Sequence, residues 1–164
     1  MRFKGMALMT SVMVLGACGG GEKAPEATPA ATPAPAAPTP AAAGNAAPIT
    51  GKMIEVKMIG DDKGYRFDPA TITAKAGDGI KFTVAGTIGP HNVAFDPAKV
   101  PADAKAQLDA NFGTDKMSEL SSGLKMNPGD SFTLSLGGIK PGKYEFNCTP
   151  HLAMNMKGTI TVTP

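Results

Sequence analysis

The chain has 164 residues, is 42% hydrophobic and 5% aromatic with no Trp, and carries 20 Gly and 15 Pro. Such a composition disfavours long helices and suits one modest loop-rich or β-rich domain. The formal net charge is +2, and no basic cluster is interleaved with aromatics, which argues against a nucleic-acid partner.

The first predicted element is a targeting segment. MRFK supplies positive charge, and GMALMTSVMVLGA is an apolar run too short to span a bilayer. Leu15-Gly16-Ala17-Cys18 resembles the lipobox of bacterial lipoproteins. In such proteins the signal is removed before the Cys, which then carries lipid. Residues 1–17 are therefore expected to be a signal peptide and Cys18 a lipidation site. Acylation also removes an unpaired thiol that export would leave exposed. It would hold the protein on a membrane at the periplasmic cell envelope without a spanning helix.

Residues 19–48 contain no aromatic and no branched aliphatic residue and almost no charge. A segment of this kind cannot offset chain entropy by burial and is expected to be disordered. Its many Pro favour an extended tether, at ~3.1 Å per residue up to about 90 Å long. Residues 18–48 thus read as anchor and tether, and residues 49–164 as the folded domain.

Within that domain, strands are expected at 53–59, 71–76, 80–85, 91–95, 131–136, 143–148 and 158–163, where β-branched residues or alternation recur. Turn signals separate them, among them Asp61-Asp62-Lys63-Gly64, Asn127-Pro128-Gly129-Asp130 and Lys140-Pro141-Gly142. The spacing suggests an antiparallel β-sandwich. One short helix is expected over 101–113, which begins with Pro and ends in Gly.

The chemistry concentrates in NCTPHLAMNM, residues 147–156. The chain has only two Cys and two His, and Cys148 and His151 lie here, eight and five residues ahead of Met156. The other His, His91, heads a predicted strand after a Gly-Pro turn. Loops cluster at the ends of a sandwich, so both His can converge with Cys148 at one end. A thiolate with two imidazoles and a weak thioether is the donor set of blue copper electron-transfer sites. Structural zinc usually takes four strong ligands. A multi-copper enzyme would need more His than the chain contains, so an electron carrier is expected rather than an enzyme.

Cys148-x-x-His151-x-x-x-x-Met156 resembles the ligand loop of plastocyanins and pseudoazurins, and CTPHLAMNM is especially similar to the pseudoazurin form. Residues 67–96, KPGKYEFNC and GTITV are similar to the same proteins in order along the chain. The resemblance implies an all-β, cupredoxin-like Greek-key β-sandwich with one type 1 copper ion, which shuttles single electrons. His91, Cys148 and His151 would be the strong ligands and Met156 the axial one. The shorter amicyanin-like spacing would select Met154 instead, but KGTITV aligns with the plastocyanin strand in the register that favours Met156. Asn92 would brace the ligand loops, its backbone N–H near the thiolate.

The resemblance further implies a monomer. It would meet redox proteins, such as cytochromes or copper oxidoreductases, by transient contact. Electrons would pass at the His151 edge, among Pro90, Pro150, Leu152, Ala153 and Met154. Asn147 stands where plant-type plastocyanins carry a surface Tyr, so their acidic docking route is not implied. The alternative use of the same ligands is copper binding and delivery.

Overall fold

The computed structural model describes residues 45–164; the expected signal segment, Cys18 and most of the tether lie outside the described residues. Among the described residues, ten strands, one α-helix and one 3₁₀ turn follow in chain order. They are β1 (Met53–Asp61), β2 (Gly64–Asp68), β3 (Thr71–Lys75), β4 (Gly79–Val84), β5 (Ala94–Phe95), α1 (Ala102–Ala110), β6 (Lys116–Ser118), β7 (Ser121–Ser122), β8 (Ser131–Ser135), β9 (Gly142–Asn147), the 3₁₀ turn (Thr149–Met154) and β10 (Lys157–Thr163). Two sheets form, ordered β2-β1-β4-β8 and β3-β10-β9-β5-β7-β6. The cupredoxin-like sandwich with one short helix is what the sequence led us to expect.

Strand alternation explains the layers. In β3 and β8 every second residue faces inward: Ile72 and Ala74 in one, Phe132 and Leu134 in the other. Between the sheets lie Phe67, Phe82, Phe95, Phe112, Phe132 and Phe146, all buried. Phe67 meets Phe146 edge-to-face at 4.7 Å and Phe82 meets Phe146 at 5.5 Å. Burying each such ring stabilises the fold by roughly 1.5–3 kcal/mol before chain entropy is set against it. Tyr144 and Phe146 of β9 are core residues, as their alternation suggests.

Strands β2, β6 and β7 fall where the sequence-based reading expected none, and two further features differ from it. The sandwich is not wholly antiparallel: β1 pairs parallel with β4, and β10 parallel with β3. The run at 91–95 is strand only at its end, because His91 makes an isolated bridge to Lys125 before β5 begins.

These pairings define two poles. The β9–β10 connection lies at one, with Asn147 opposite Lys157. Because β3 runs parallel to β10, with Thr163 opposite Lys75, the residues after Lys75 lie at the other. There Asp78, only 3% exposed, accepts the Lys52 N–H at 2.9 Å and the Lys75 N–H at 2.8 Å. The chain ahead of β1 is also fastened near this pole. Ala47 is buried, and its N–H donates to Asn111 Oδ1 at 2.8 Å. Asn111 Nδ2 in turn donates to the carbonyls of Ser135 and Gly137. Packing therefore begins two residues ahead of the expected start at Ile49.

Asp78 gives a pH dependence of known sign. The Lys75 N–H, and after it the Lys52 N–H, hold its carboxyl below the usual 3.8, against the opposing effect of burial. Its contribution is full above the unfolded carboxylate pKa and is lost as pH falls through the lower folded value. Asp78→Asn turns an NH2 towards one of those two backbone donors. It is expected to cost about 1–3 kcal/mol at neutral pH. Urea unfolding should show the gap between wild type and variant narrowing below about pH 4; a gap independent of pH would refute the assignment.

Candidate metal centre

Four local devices build the site at the β9–β10 pole. Cys148 directly follows β9, and its N–H donates to the Met156 carbonyl at 3.0 Å. The His151 N–H returns to the Cys148 carbonyl at 3.1 Å, and the Met156 N–H to the His151 carbonyl at 3.2 Å. Cys148, His151 and Met156 are thus tied in one backbone-bonded loop. Asn155 closes the 3₁₀ turn at φ 60°, a left-handed conformation that Asn tolerates better than most residues. Past that reversal Met156 is fully buried, whereas Met154 is 54% exposed.

His91 comes from a separate segment that must approach β1 closely. A Cβ on Gly86 would stand 2.4 Å from the backbone N and O of Gly60, and one on Gly60 would stand 2.1 Å from the Ile88 carbonyl oxygen. Only glycines allow this approach. It brings the Ile88 carbonyl to His91 Nε2 at 2.9 Å. A carbonyl can only accept, so Nε2 carries the proton and Nδ1 keeps its lone pair. That nitrogen lies 3.8 Å from Cys148 Sγ, and His151 Nδ1 lies 3.3 Å from it.

The three donor atoms lie within 4.8 Å of one another, on residues that are all buried. Bonds of about 2.0 Å to nitrogen and 2.3 Å to sulfur, typical for a first-row ion, would set N and S roughly 3.7 Å apart at trigonal angles. The observed spacing and the soft donor set therefore fit copper. Protonation also fits. Burial, with the neighbouring His151 second, lowers the pKa of His91, and burial lowers that of His151. Both imidazoles are thus neutral and able to ligate. Burial raises the Cys148 thiol, partly opposed by the backbone N–H groups of Asn92 and His151 that face its sulfur. Binding a cation would displace that proton.

Asn92 braces the loops as the resemblance implied. Its Oδ1 accepts the Thr149 N–H at 2.8 Å, and its Nδ2 donates to the hydroxyls of Thr149 (3.2 Å) and Ser121 (3.1 Å). One residue escaped sequence reasoning. Tyr65 of β2 stacks on the His151 ring at 3.7 Å and 14°. His151 is consequently only 5% exposed, rather than an open edge. Around it, Pro150, Leu152, Ala153 and Met154 are exposed and Pro90 is half-buried. Tyr65 follows the predicted turn at Gly64 but sits in GYRFD, a stretch with no clean alternation.

A β-sandwich holding one buried Cys and two His at a single pole defines a single-site metalloprotein suited to electron transfer. Comparisons with known proteins agree. A family model described as copper binding proteins, plastocyanin/azurin family, matches residues 54–163. Plastocyanin of Prochlorothrix hollandica is 37% identical over 118 residues, covering 72% of this chain and 79% of that protein. Plastocyanin of Dryopteris crassirhizoma is 38% identical over 105 residues, covering 63% and 95%. The solved oxidized form of the Dryopteris protein aligns at 36% identity with a TM-score of 0.49, covering 66% of this chain and 99% of that one. The chain belongs to the copper-binding plastocyanin/azurin family. It is a blue copper electron-transfer protein, with copper as its cofactor.

Proposed function

We propose that His91, Cys148 and His151 are the strong ligands of one type 1 copper ion and Met156 its weak fourth. We propose further that the protein is an electron carrier, not an enzyme, held at the bacterial cell envelope through lipidated Cys18. The observation that carries the ligand assignment is the meeting of three buried donor atoms within 4.8 Å. Bound there, copper supplies one-electron chemistry by changing between Cu(II) and Cu(I). The chain's part is to keep the donors still. The Ile88 carbonyl fixes the His91 tautomer, and backbone hydrogen bonds fix the loop that carries the other donors. A site held so firmly leaves little to reorganise as charge moves, which favours fast exchange.

The stacked rings of His151 and Tyr65 lead from the centre towards the surface. Leu152 (47% exposed), Met154 (54%) and Ile88 (43%) supply apolar surface near them. Partners such as cytochromes or copper oxidoreductases would meet this pole by transient contact of less than about 1,200 Å². The envelope reading rests on the charged start, the short apolar run and Leu15-Gly16-Ala17-Cys18. Among the described residues no helix is long and apolar enough to cross a membrane, and the anchoring proposal needs none.

The test uses the full chain. Cys18→Ser should move the protein from the membrane to the soluble fraction while leaving its colour unchanged, and persistence on the membrane would overturn the anchor. The copper-loaded protein should show a reversible one-electron wave and rapid exchange with a cytochrome. Surrender of Cu(I) to a metal-free acceptor faster than any electron exchange would replace the carrier with a delivery protein.

A further inference from the structure

A polar chain runs from helix α1 to the copper ligands, and the ligand assignment does not use its far end. Ser121, in β7, is only 4% exposed. Its hydroxyl accepts from Asn92 Nδ2 at 3.1 Å, and Asn92 Oδ1 accepts the N–H of Thr149, the residue that follows Cys148, at 2.8 Å. Ser121 stands directly opposite Ala94, two residues along from Asn92. Its neighbour Ser122 donates its N–H to the Val93 carbonyl and accepts the Val93 N–H on its hydroxyl. The short hairpin therefore holds the Asn92 side chain and the Val93 backbone along one edge of the 92–94 segment, while β9 pairs with β5 on the other.

What places the hairpin is unusual. Leu120, at its corner, is fully buried and holds φ 54°. A branched residue adopts that conformation only when its surroundings impose it. The imposing group is Asp109 of α1, whose Oδ1 accepts the Leu120 N–H at 2.6 Å while Oδ2 pairs with Lys116. The Leu120 carbonyl then accepts the Phe95 N–H at 2.9 Å. From Asp109 to Cys148, each joint is a hydrogen bond or a single peptide step.

We propose that Ser121 is a positioning residue of the copper site, set in place by the Asp109 carboxylate through Leu120, and that it aims the Asn92 N–H at the thiolate sulfur. An N–H donated to that sulfur withdraws charge from it and weakens its donation to Cu(II), so the hydrogen bond favours the reduced state. Loosening Asn92 lowers the reduction potential. The proposal rests on the ligand assignment above, so one readout is taken without metal.

The experiment compares Ser121→Ala, Asp109→Ala and Asp109→Asn in the full chain. Ser121→Ala is expected to change the ratio of Cu(I) to Cu(II) affinity about threefold. At 59 mV per decade for one electron, that lowers the potential by about 30 mV. In metal-free protein it should speed amide exchange of Asn92 and Thr149 several-fold. Asp109→Ala should move both readouts the same way. Asp109→Asn keeps an oxygen for the Leu120 N–H and should restore them, although it loses the Lys116 pair.

Ser121→Ala and Asp109→Ala variants that lose thermal stability but keep the wild-type potential and Asn92 exchange would make the chain merely structural and end the proposal. So would failure of Asp109→Asn to differ from Asp109→Ala. If Ser121→Ala does not fold, the Asp109 pair decides alone. A colourless copper-loaded wild type would instead remove the ligand assignment, and this inference with it.

Discussion

Cys148→Ser is expected to abolish the intense visible thiolate-to-Cu(II) band and to weaken Cu(II) binding by at least tenfold. The band requires a thiolate in the coordination sphere, and this Cys is the one whose sulfur lies within 3.3 and 3.8 Å of the two imidazole nitrogens. A serine hydroxyl is harder and does not ionise near neutral pH, so it is a poor partner for either copper state. The polypeptide should survive the change. Ser is slightly smaller than Cys, and its hydroxyl inherits the Asn92 and His151 N–H groups that face the sulfur. The expected result is therefore a folded, colourless protein. Absorption spectra and a chelator competition read the site, and thermal melting of the metal-free variant reads the fold. An undiminished blue band would mean that another sulfur holds the metal, and the site as described would be wrong.

The ease of that prediction reflects what was legible in the sequence. Cys148, His151 and Met156 are joined by backbone hydrogen bonds that span at most eight positions. A site assembled so locally leaves its spacing in the chain. The flanking strands were legible for the same reason, since TITAK and SFTLS alternate visibly about a buried face. Helix α1 was bracketed by Pro101 at its cap and by Gly113 at φ 61° just beyond it.

What escaped depends on distance along the chain. The parallel β1–β4 and β10–β3 pairings are fixed by the packing of whole sheets, and no local signal distinguishes them from antiparallel ones. Tyr65 reaches His151 from β2, more than eighty positions away, in a strand whose residues are mostly only half-buried. Asn111 reads locally as a residue just past a helix end. Its four side-chain hydrogen bonds connect Ala47, Gln107, Ser135 and Gly137, and only the folded chain brings these together. Leu120 gives no warning of its positive φ, because the cause is a carboxylate eleven residues earlier.

Met156→Leu and Met154→Leu should separate the two methionines that spacing alone left in competition. Met156 is fully buried, and both its backbone N–H and its carbonyl are bonded to the ligand loop. Met154 is 54% exposed at the end of the 3₁₀ turn. Leu conserves most of the volume of Met, so either variant should lose less than about 1.5 kcal/mol of stability. Their electrochemistry should differ. Removing a weak axial thioether takes a donor from Cu(II), which favours more ligands, and costs Cu(I) less, since Cu(I) accepts low coordination. The potential of Met156→Leu should therefore rise by about 59 mV or more, a tenfold change in relative affinity for the two states. The visible band should shift with it. Met154→Leu should stay within about 20 mV of wild type by the same conversion, because its side chain lies in solvent and acts only as part of the apolar surface. Any slowing in that variant should appear in exchange with a partner. Protein-film voltammetry of both variants under one set of conditions decides the matter: a larger shift for Met154→Leu would transfer the axial role to the shorter spacing.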